Sequence, residues 1–134
     1  MHVGWKEALA TGHDEIDGLQ RELFRVAAHL VEAARAQQAP VARAHVARLT
    51  ELAQVLFAEE ERMLREADLP SLERHTLEHR RFLTDLAVFS SELGRRGPEA
   101  LTDLRLARHV VGWIEAHLDK TNRDLGRALR ERPA

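Results

Sequence analysis

Residues 72–93 read LERHTLEHRRFLTDLAVFSSEL, and Leu72, His75, His79, Phe82, Leu86, Phe89 and Leu93 recur in it at alternating steps of three and four. That spacing marks one face of an α-helix. Pro70 precedes the stretch and Gly94-Arg95-Arg96-Gly97-Pro98 follows it, residues of the kind that begin and end helices. The same period governs the flanking segments. Leu49, Ala53, Leu56, Glu60, Met63 and Ala67 form the inner face of a helix that follows Pro40. Nearer the N-terminus, Ile16, Gln20, Leu23, Ala27, Leu30 and Ala34 run in the same steps from the Thr11-Gly12 turn to a break over 37–40. Beyond Pro98, Leu104, Ala107, Val111, Ile114, Leu118 and Thr121, with Val110 and His117 beside them, predict a fourth helix, and the tail from Asn122 predicts a last short one. Residues 1–13 read as an arm anchored by Trp5. Four helices of similar length on short connections predict an all-α fold, an antiparallel up-down-up-down four-helix bundle with an N-terminal arm, as one domain over 1–134.

Composition excludes several functions. The 20 basic and 22 acidic residues are spread along the chain and leave a net charge of -2, so no concentrated basic face offers itself to nucleic acid. With no cysteine, thiolate metal sites, thiol redox chemistry and disulfides are excluded together. The opening MHVGWKEALATG has no apolar targeting core and no run approaches a membrane span, so the expectation is a cytoplasmic protein without a membrane partner. Neither a glycine-rich phosphate loop nor a serine or cysteine nucleophile motif is present.

Four side chains sit on the apolar faces where a bundle should be dry: Glu60, His75, His79 and His117. Buried carboxylates and imidazoles need partners, and a metal ion satisfies all four, neutralising the carboxylate and accepting lone pairs from neutral imidazoles. Register brings them to one level. Glu60 lies about as far before the Leu69 turn as His75 and His79 lie after it, and His117 lies beyond Pro98 at a height that the Gly94–Pro98 connection can match to His79. Gln20 and Leu56 are at similar distances either side of the first turn, which adds both to the same layer. His75 and His79, one turn apart on one face, can offer two ligands to one ion.

These residues and their surroundings resemble the hemerythrin family of the bacterial single-domain kind, over nearly the whole chain. The markers are Trp5, Thr11-Gly12, Glu15-Ile16-Asp17 and Leu23-Phe24, then Phe57, Glu60-Glu61 and Met63, then Pro70, His75, His79 and Phe82, and finally Trp113-Ile114 with His117-Leu118. The resemblance implies a non-haem iron site inside the bundle, in which five histidines and two bridging carboxylates hold two irons that bind oxygen reversibly. Three of those seven positions depart from the pattern here. Gln20 replaces the histidine of the first helix, Leu56 replaces the first histidine of the second-helix motif, and Asn122 replaces the last carboxylate. In the family the two lost histidines serve one iron, and the three that remain, His75, His79 and His117, serve the other. One half of the site is kept and the other is lost.

The expectation is therefore a reduced, mononuclear site of three imidazoles and Glu60 that binds or senses oxygen or a related small diatomic ligand. Iron follows from the resemblance, whereas zinc or manganese suit the same donors and the Irving–Williams order favours zinc over iron. A single iron lacks the second electron that reversible oxygen carriage takes from a pair. Gln20 and Asn122 are candidates for a second shell, Gln20 either on an outer imidazole nitrogen or paired with Asn122 across the bundle. Two alternatives stand beside this: a di-iron oxygen-binding protein in which Asp119, Asp124, His13, Asp14 or Asp17 substitutes for a lost ligand, and a metal-free interaction module with Glu60 ion-paired to His75 or His79. An enzymatic version would have the one iron activate oxygen or peroxide, but no substrate pocket is legible and the chain is read as a binding protein. His2, His13, His29, His45 and His109 lie off the shared layer and are discounted as ligands. Glu59 and Glu61, each about 100° round the helix from Glu60, read as a solvated face. Arg80-Arg81 and Arg95-Arg96 read as helix-surface salt-bridging residues, and no protein partner is identified.

Overall fold

Two helix ends use the same backbone device. At the end of the first helix Gln37 turns to φ 54°, and the Gln38 N–H reaches back to the Ala33 carbonyl at 3.0 Å. At the end of the second Asp68 turns to φ 53°, and the Leu69 N–H reaches the Leu64 carbonyl at 3.1 Å. Both are left-handed terminations that satisfy carbonyls a helix end would otherwise leave bare, and a proline follows each closely, Pro40 and Pro70. The chain thus reverses in a few residues between long helices.

The computed structural model describes residues 10–97 and 105–130. They form four helices: α1 over Asp14–Arg35, α2 over Ala39–Glu66, α3 over Leu72–Arg96 and α4 over Arg105–Arg130. The fold is an all-α four-helix bundle. Trp5 with most of the expected arm, and Leu104 with the start expected for the fourth helix after Pro98, lie outside the described residues, as does the side chain of Ala107. Among the described residues no helix is long and apolar enough to cross a membrane.

α1 begins where His13 Nδ1 accepts the Ile16 N–H at 3.3 Å, with Asp14, Glu15 and Asp17 in its first turn against the positive end of the helix dipole. Asp17 is buried and ties the approach down. Its Oδ1 accepts the Thr11 N–H at 2.9 Å and the Thr11 hydroxyl at 2.8 Å, and its Oδ2 accepts the Gly12 N–H at 3.2 Å. Gly12 has φ +89°, which is why a glycine stands in that turn.

Neighbouring helices touch in opposite numerical order. His13 faces Glu59 and His29 faces His45 between α1 and α2. Between α3 and α4, His75 meets Asp124, His79 meets His117, and Asp85 meets His109. Numbers rise on one helix as they fall on its neighbour.

The inner faces follow the sequence pattern. All six positions expected on α1 are buried, as are Leu49, Ala53, Leu56, Glu60 and Met63 on α2, the α3 stripe from His75 to Leu93, and Val110, Val111, Ile114, His117, Leu118 and Thr121 on α4. Ala67 and Leu72, at the turn between α2 and α3, are only partly buried. One expectation is corrected: no separate short helix starts at Asn122, because α4 runs unbroken through Arg130. Leu125 and Ala128 continue its buried face, and Gly126 loosens the helix without ending it, at a cost of about 1 kcal/mol relative to alanine.

Candidate metal centre

Three helices supply four converging groups. Glu60 comes from α2, His75 and His79 from successive turns of α3, and His117 from α4, and their relative exposures are 0, 0, 2 and 3 %. One ring nitrogen of each histidine lies within 4.8 Å of the others. His79 Nε2 and His117 Nε2 are 3.0 Å apart, and Glu60 Oε1 lies 3.2 Å from the first and 3.5 Å from the second. The ring planes are held by stacking. Phe57 lies flat on His79 at 3.9 Å between centroids, Trp113 on His117 at 4.3 Å, and Phe82 backs Trp113 at 4.1 Å.

Each imidazole also has an outward nitrogen, and each of those meets a carboxylate. His79 Nδ1 is 2.8 Å from Glu61 Oε2, His75 Nε2 is 2.8 Å from Asp124 Oδ2, and His117 Nδ1 is 3.2 Å from Glu78 Oε2. An imidazole whose outer N–H is held by a carboxylate is the usual form of a metal-ligating histidine. Thr121 stands among the inner nitrogens, its Oγ1 3.0 Å from His117 Nε2 and 3.3 Å from His75 Nδ1.

Glu60 has no such support. Neither of its carboxylate oxygens has a hydrogen-bond partner among the described residues, although both are buried. Burial pushes its carboxyl up, and only positive charge at the facing imidazoles of His117 and His79 would hold it below the ordinary carboxylate range. A buried anion facing the inner nitrogens of imidazoles whose outer nitrogens meet carboxylates is an arrangement that suits a cation at its centre. The donor set, three nitrogens and one oxygen from three helices, fits a single divalent metal ion.

The remainder of the layer is closed by other means. Gln20 Nε2 donates to Asn122 Oδ1 at 2.7 Å and Asn122 Nδ2 donates to Gln20 Oε1 at 2.9 Å, a reciprocal amide pair between α1 and α4. Gln20 therefore takes the cross-bundle pairing and not a place on an imidazole. Leu56, one turn before Glu60, is wholly buried. Of the five residues considered as substitutes for lost ligands, Asp14 is exposed in the first turn of α1 and the other four are engaged elsewhere. Asp124 holds the outer side of His75, Asp119 binds Arg123 on the surface, Asp17 caps the approach to α1, and His13 is the cap of α1.

Glu61 corrects the expectation of a solvated face. It lies off the inner stripe, yet its carboxylate reaches across to His79 and accepts the Thr76 hydroxyl at 3.2 Å. Glu59 is also half-buried, paired with Arg62 and facing His13, so neither flanking glutamate is fully solvated. Glu78 and Thr121 are not legible as site residues from the sequence, and Asp124, expected only as a substitute ligand, instead holds the outer nitrogen of His75. The available signal was spacing: Glu78 directly precedes His79, and Thr121 is one turn beyond His117 on the same face. Of the discounted histidines, His29 and His109 are exposed, His13 and His45 are half-buried, and His2 lies outside the described residues.

No family model matches the chain, and no curated protein matches it. The site is defined by its own donors.

Proposed function

We propose that this protein is a hemerythrin-like bundle that holds one metal ion, iron foremost, on Glu60, His75, His79 and His117, and that it binds or senses oxygen or a related diatomic ligand there. The observation that carries the reading is the orphaned Glu60 carboxylate, buried against His79 and His117 with both oxygens unpartnered. A bound ferrous ion would supply a Lewis-acid centre with one electron to give and with positions left open by four protein ligands. The chain's own groups do the rest. Phe57, Trp113 and Phe82 wall the donors with apolar surface and limit water, and Thr121 places a hydroxyl donor among the inner nitrogens. The paired amides of Gln20 and Asn122, with Leu56, occupy positions from which a second ion would draw its ligands, which favours one ion over two.

Zinc and manganese fit the same donors, and iron is preferred on the resemblance alone. Elemental analysis of protein purified without chelator or affinity metal tests the reading. Close to one equivalent of metal per chain is expected, and iron is the metal expected. Two equivalents of iron would overturn the single site, and failure to take up added ferrous iron or zinc would overturn the metal altogether.

A second reading draws on the 3.2 Å contact between Glu60 Oε1 and His79 Nε2, which a protonated imidazole would make an ion pair. The bundle would then be a metal-free interaction module. It predicts that Glu60→Gln combined with His79→Leu raises the melting temperature equally with and without metal, since replacing a buried ion pair by apolar groups is often stabilising.

A further inference from the structure

Each of the three imidazoles is gripped from outside by a carboxylate on an adjacent helix. Glu61 of α2 holds His79 of α3, Glu78 of α3 holds His117 of α4, and Asp124 of α4 holds His75 of α3. An ionised carboxylate can only accept, so each contact fixes a proton on the nitrogen it touches and, in a neutral ring, leaves the opposite nitrogen with a lone pair; the 3.0 Å approach of His79 Nε2 to His117 Nε2 then brings two such lone pairs together as donors to one cation. The nitrogens so fixed are not the same atom in the three rings. They are Nδ1 in His79 and His117 but Nε2 in His75, which turns Nε2, Nε2 and Nδ1 inward.

Two further contacts agree with that assignment. Thr121 Oγ1 touches His117 Nε2 and His75 Nδ1, the two nitrogens that the carboxylates leave bare, and a hydroxyl can donate to either. The carboxylates are themselves braced. Arg74 Nη2 lies 3.3 Å from Asp124 Oδ2 and its Nε lies 3.9 Å from Glu78 Oε1, while Thr76 donates to Glu61. These braces aim all three groups at the rings.

We infer that Glu61, Glu78 and Asp124 are positioning residues that hold the three histidines in two different tautomers, so that a divalent cation meets a mixed donor set of two Nε2 nitrogens and one Nδ1 nitrogen. The cation in this statement rests on the metal reading above. The tautomers do not, because the carboxylate contacts belong to the chain without metal. His75 and His79 are one turn apart with ring centroids at 6.1 Å and planes tilted by 39°, and presenting different edges lets both aim at one point from successive turns.

Long-range proton–nitrogen correlation spectra of the metal-free protein at slightly alkaline pH test the assignment directly. His79 and His117 are expected as the Nδ1–H tautomer and His75 as the Nε2–H tautomer. A single tautomer for all three, or an Nδ1 proton on His75, would overturn the inference. Zinc titration of Glu61→Ala and Asp124→Ala then tests the positioning role. The side chains of Glu61 and Asp124 are 22 and 28 % exposed, so their loss leaves the core intact. Each variant is expected to bind zinc about 10–100-fold more weakly, with the tautomer shifting only in its own histidine. Glu61→Gln and Asp124→Asn, whose amide carbonyl accepts the same bond, should recover part of the loss. Alanine variants that bind zinc as tightly as the unaltered protein would overturn the positioning role. Mixed tautomers in a protein that takes up no zinc, iron or manganese would reject the metal reading while supporting the assignment of protons.

Discussion

Between α1 and α4, Gln20 and Asn122 exchange two hydrogen bonds and leave no amide atom of the pair wanting. Among α2, α3 and α4, Glu60, His75, His79 and His117 are buried as deeply as Gln20 and do the opposite. Their inner atoms crowd together, yet the outer imidazole nitrogens meet carboxylates and neither Glu60 oxygen has a hydrogen-bond partner among the described residues. Both groups are polar clusters in the interior of one bundle. The first is complete with protein atoms alone, and the second is complete only with a positive charge in its middle. Burial of polar residues is thus a poor guide to a ligand site, and the unsatisfied remainder is a good one.

That contrast can be broken from either side. The largest effect belongs to His117→Ala, which removes the ligand of α4 and should abolish metal uptake, a loss well beyond the roughly 10–100-fold that an outer partner is worth. Zinc or ferrous titration measures it, and a variant that still binds one equivalent tightly would mean the donors are elsewhere. Next comes an attempt to make the complete cluster incomplete. Gln20→His, Leu56→His and Asn122→Asp together supply two imidazoles and a carboxylate where the protein now has an amide pair and a leucine, so metal content should rise from about one to about two per chain. A stoichiometry that stays unchanged would show that the layer cannot host a second ion even with ligands restored.

A third test gives opposite signs under two conditions. Glu60→Leu deletes the bare carboxylate, which should stabilise the metal-free protein by about 1–3 kcal/mol, the cost of an unsatisfied buried polar group. With metal present the unaltered protein gains from binding, about 4.1 kcal/mol at a thousandfold excess over its dissociation constant, and the variant, short of a donor, gains far less. Thermal unfolding with chelator and with excess zinc should therefore rank the two proteins in reverse order. Equal ranking in both conditions favours the metal-free module.

The helices and the buried donor residues were legible because periodicity reports which face of its own helix a residue occupies. Glu60, His75, His79 and His117 lie on those faces and are buried as the spacing implies. The outer carboxylates were not legible for the same reason. Glu61 is one position round from Glu60, and the helical angle assigns it to solvent, but at the seam between α2 and α3 a long side chain reaches the neighbouring helix. Whether it meets His79 depends on the packing of two helices and on no property of either alone. Asn122 misled for a different reason. A polar amide after a long apolar stripe resembles a helix end, and its partner, Gln20, is remote in sequence. Both positions had been placed together only as one of two options for Gln20, and only the packed bundle selects it.

The smallest effect is the most informative about the completed half. Gln20→Leu alone leaves the Asn122 amide without its partner in a half-buried position and should cost about 1–3 kcal/mol. Gln20→Leu with Asn122→Leu removes both ends of the pair and replaces them with apolar atoms of similar size, so most of that cost should be recovered, leaving a net change below about 1 kcal/mol. Metal affinity should be unchanged in both variants, because the two amides bond to each other between α1 and α4. Chemical denaturation measures the stability terms and zinc titration the affinity. If the double variant were to bind metal markedly more weakly, the amide pair would be coupled to the metal centre, and the two halves of the layer would have to be treated as one site.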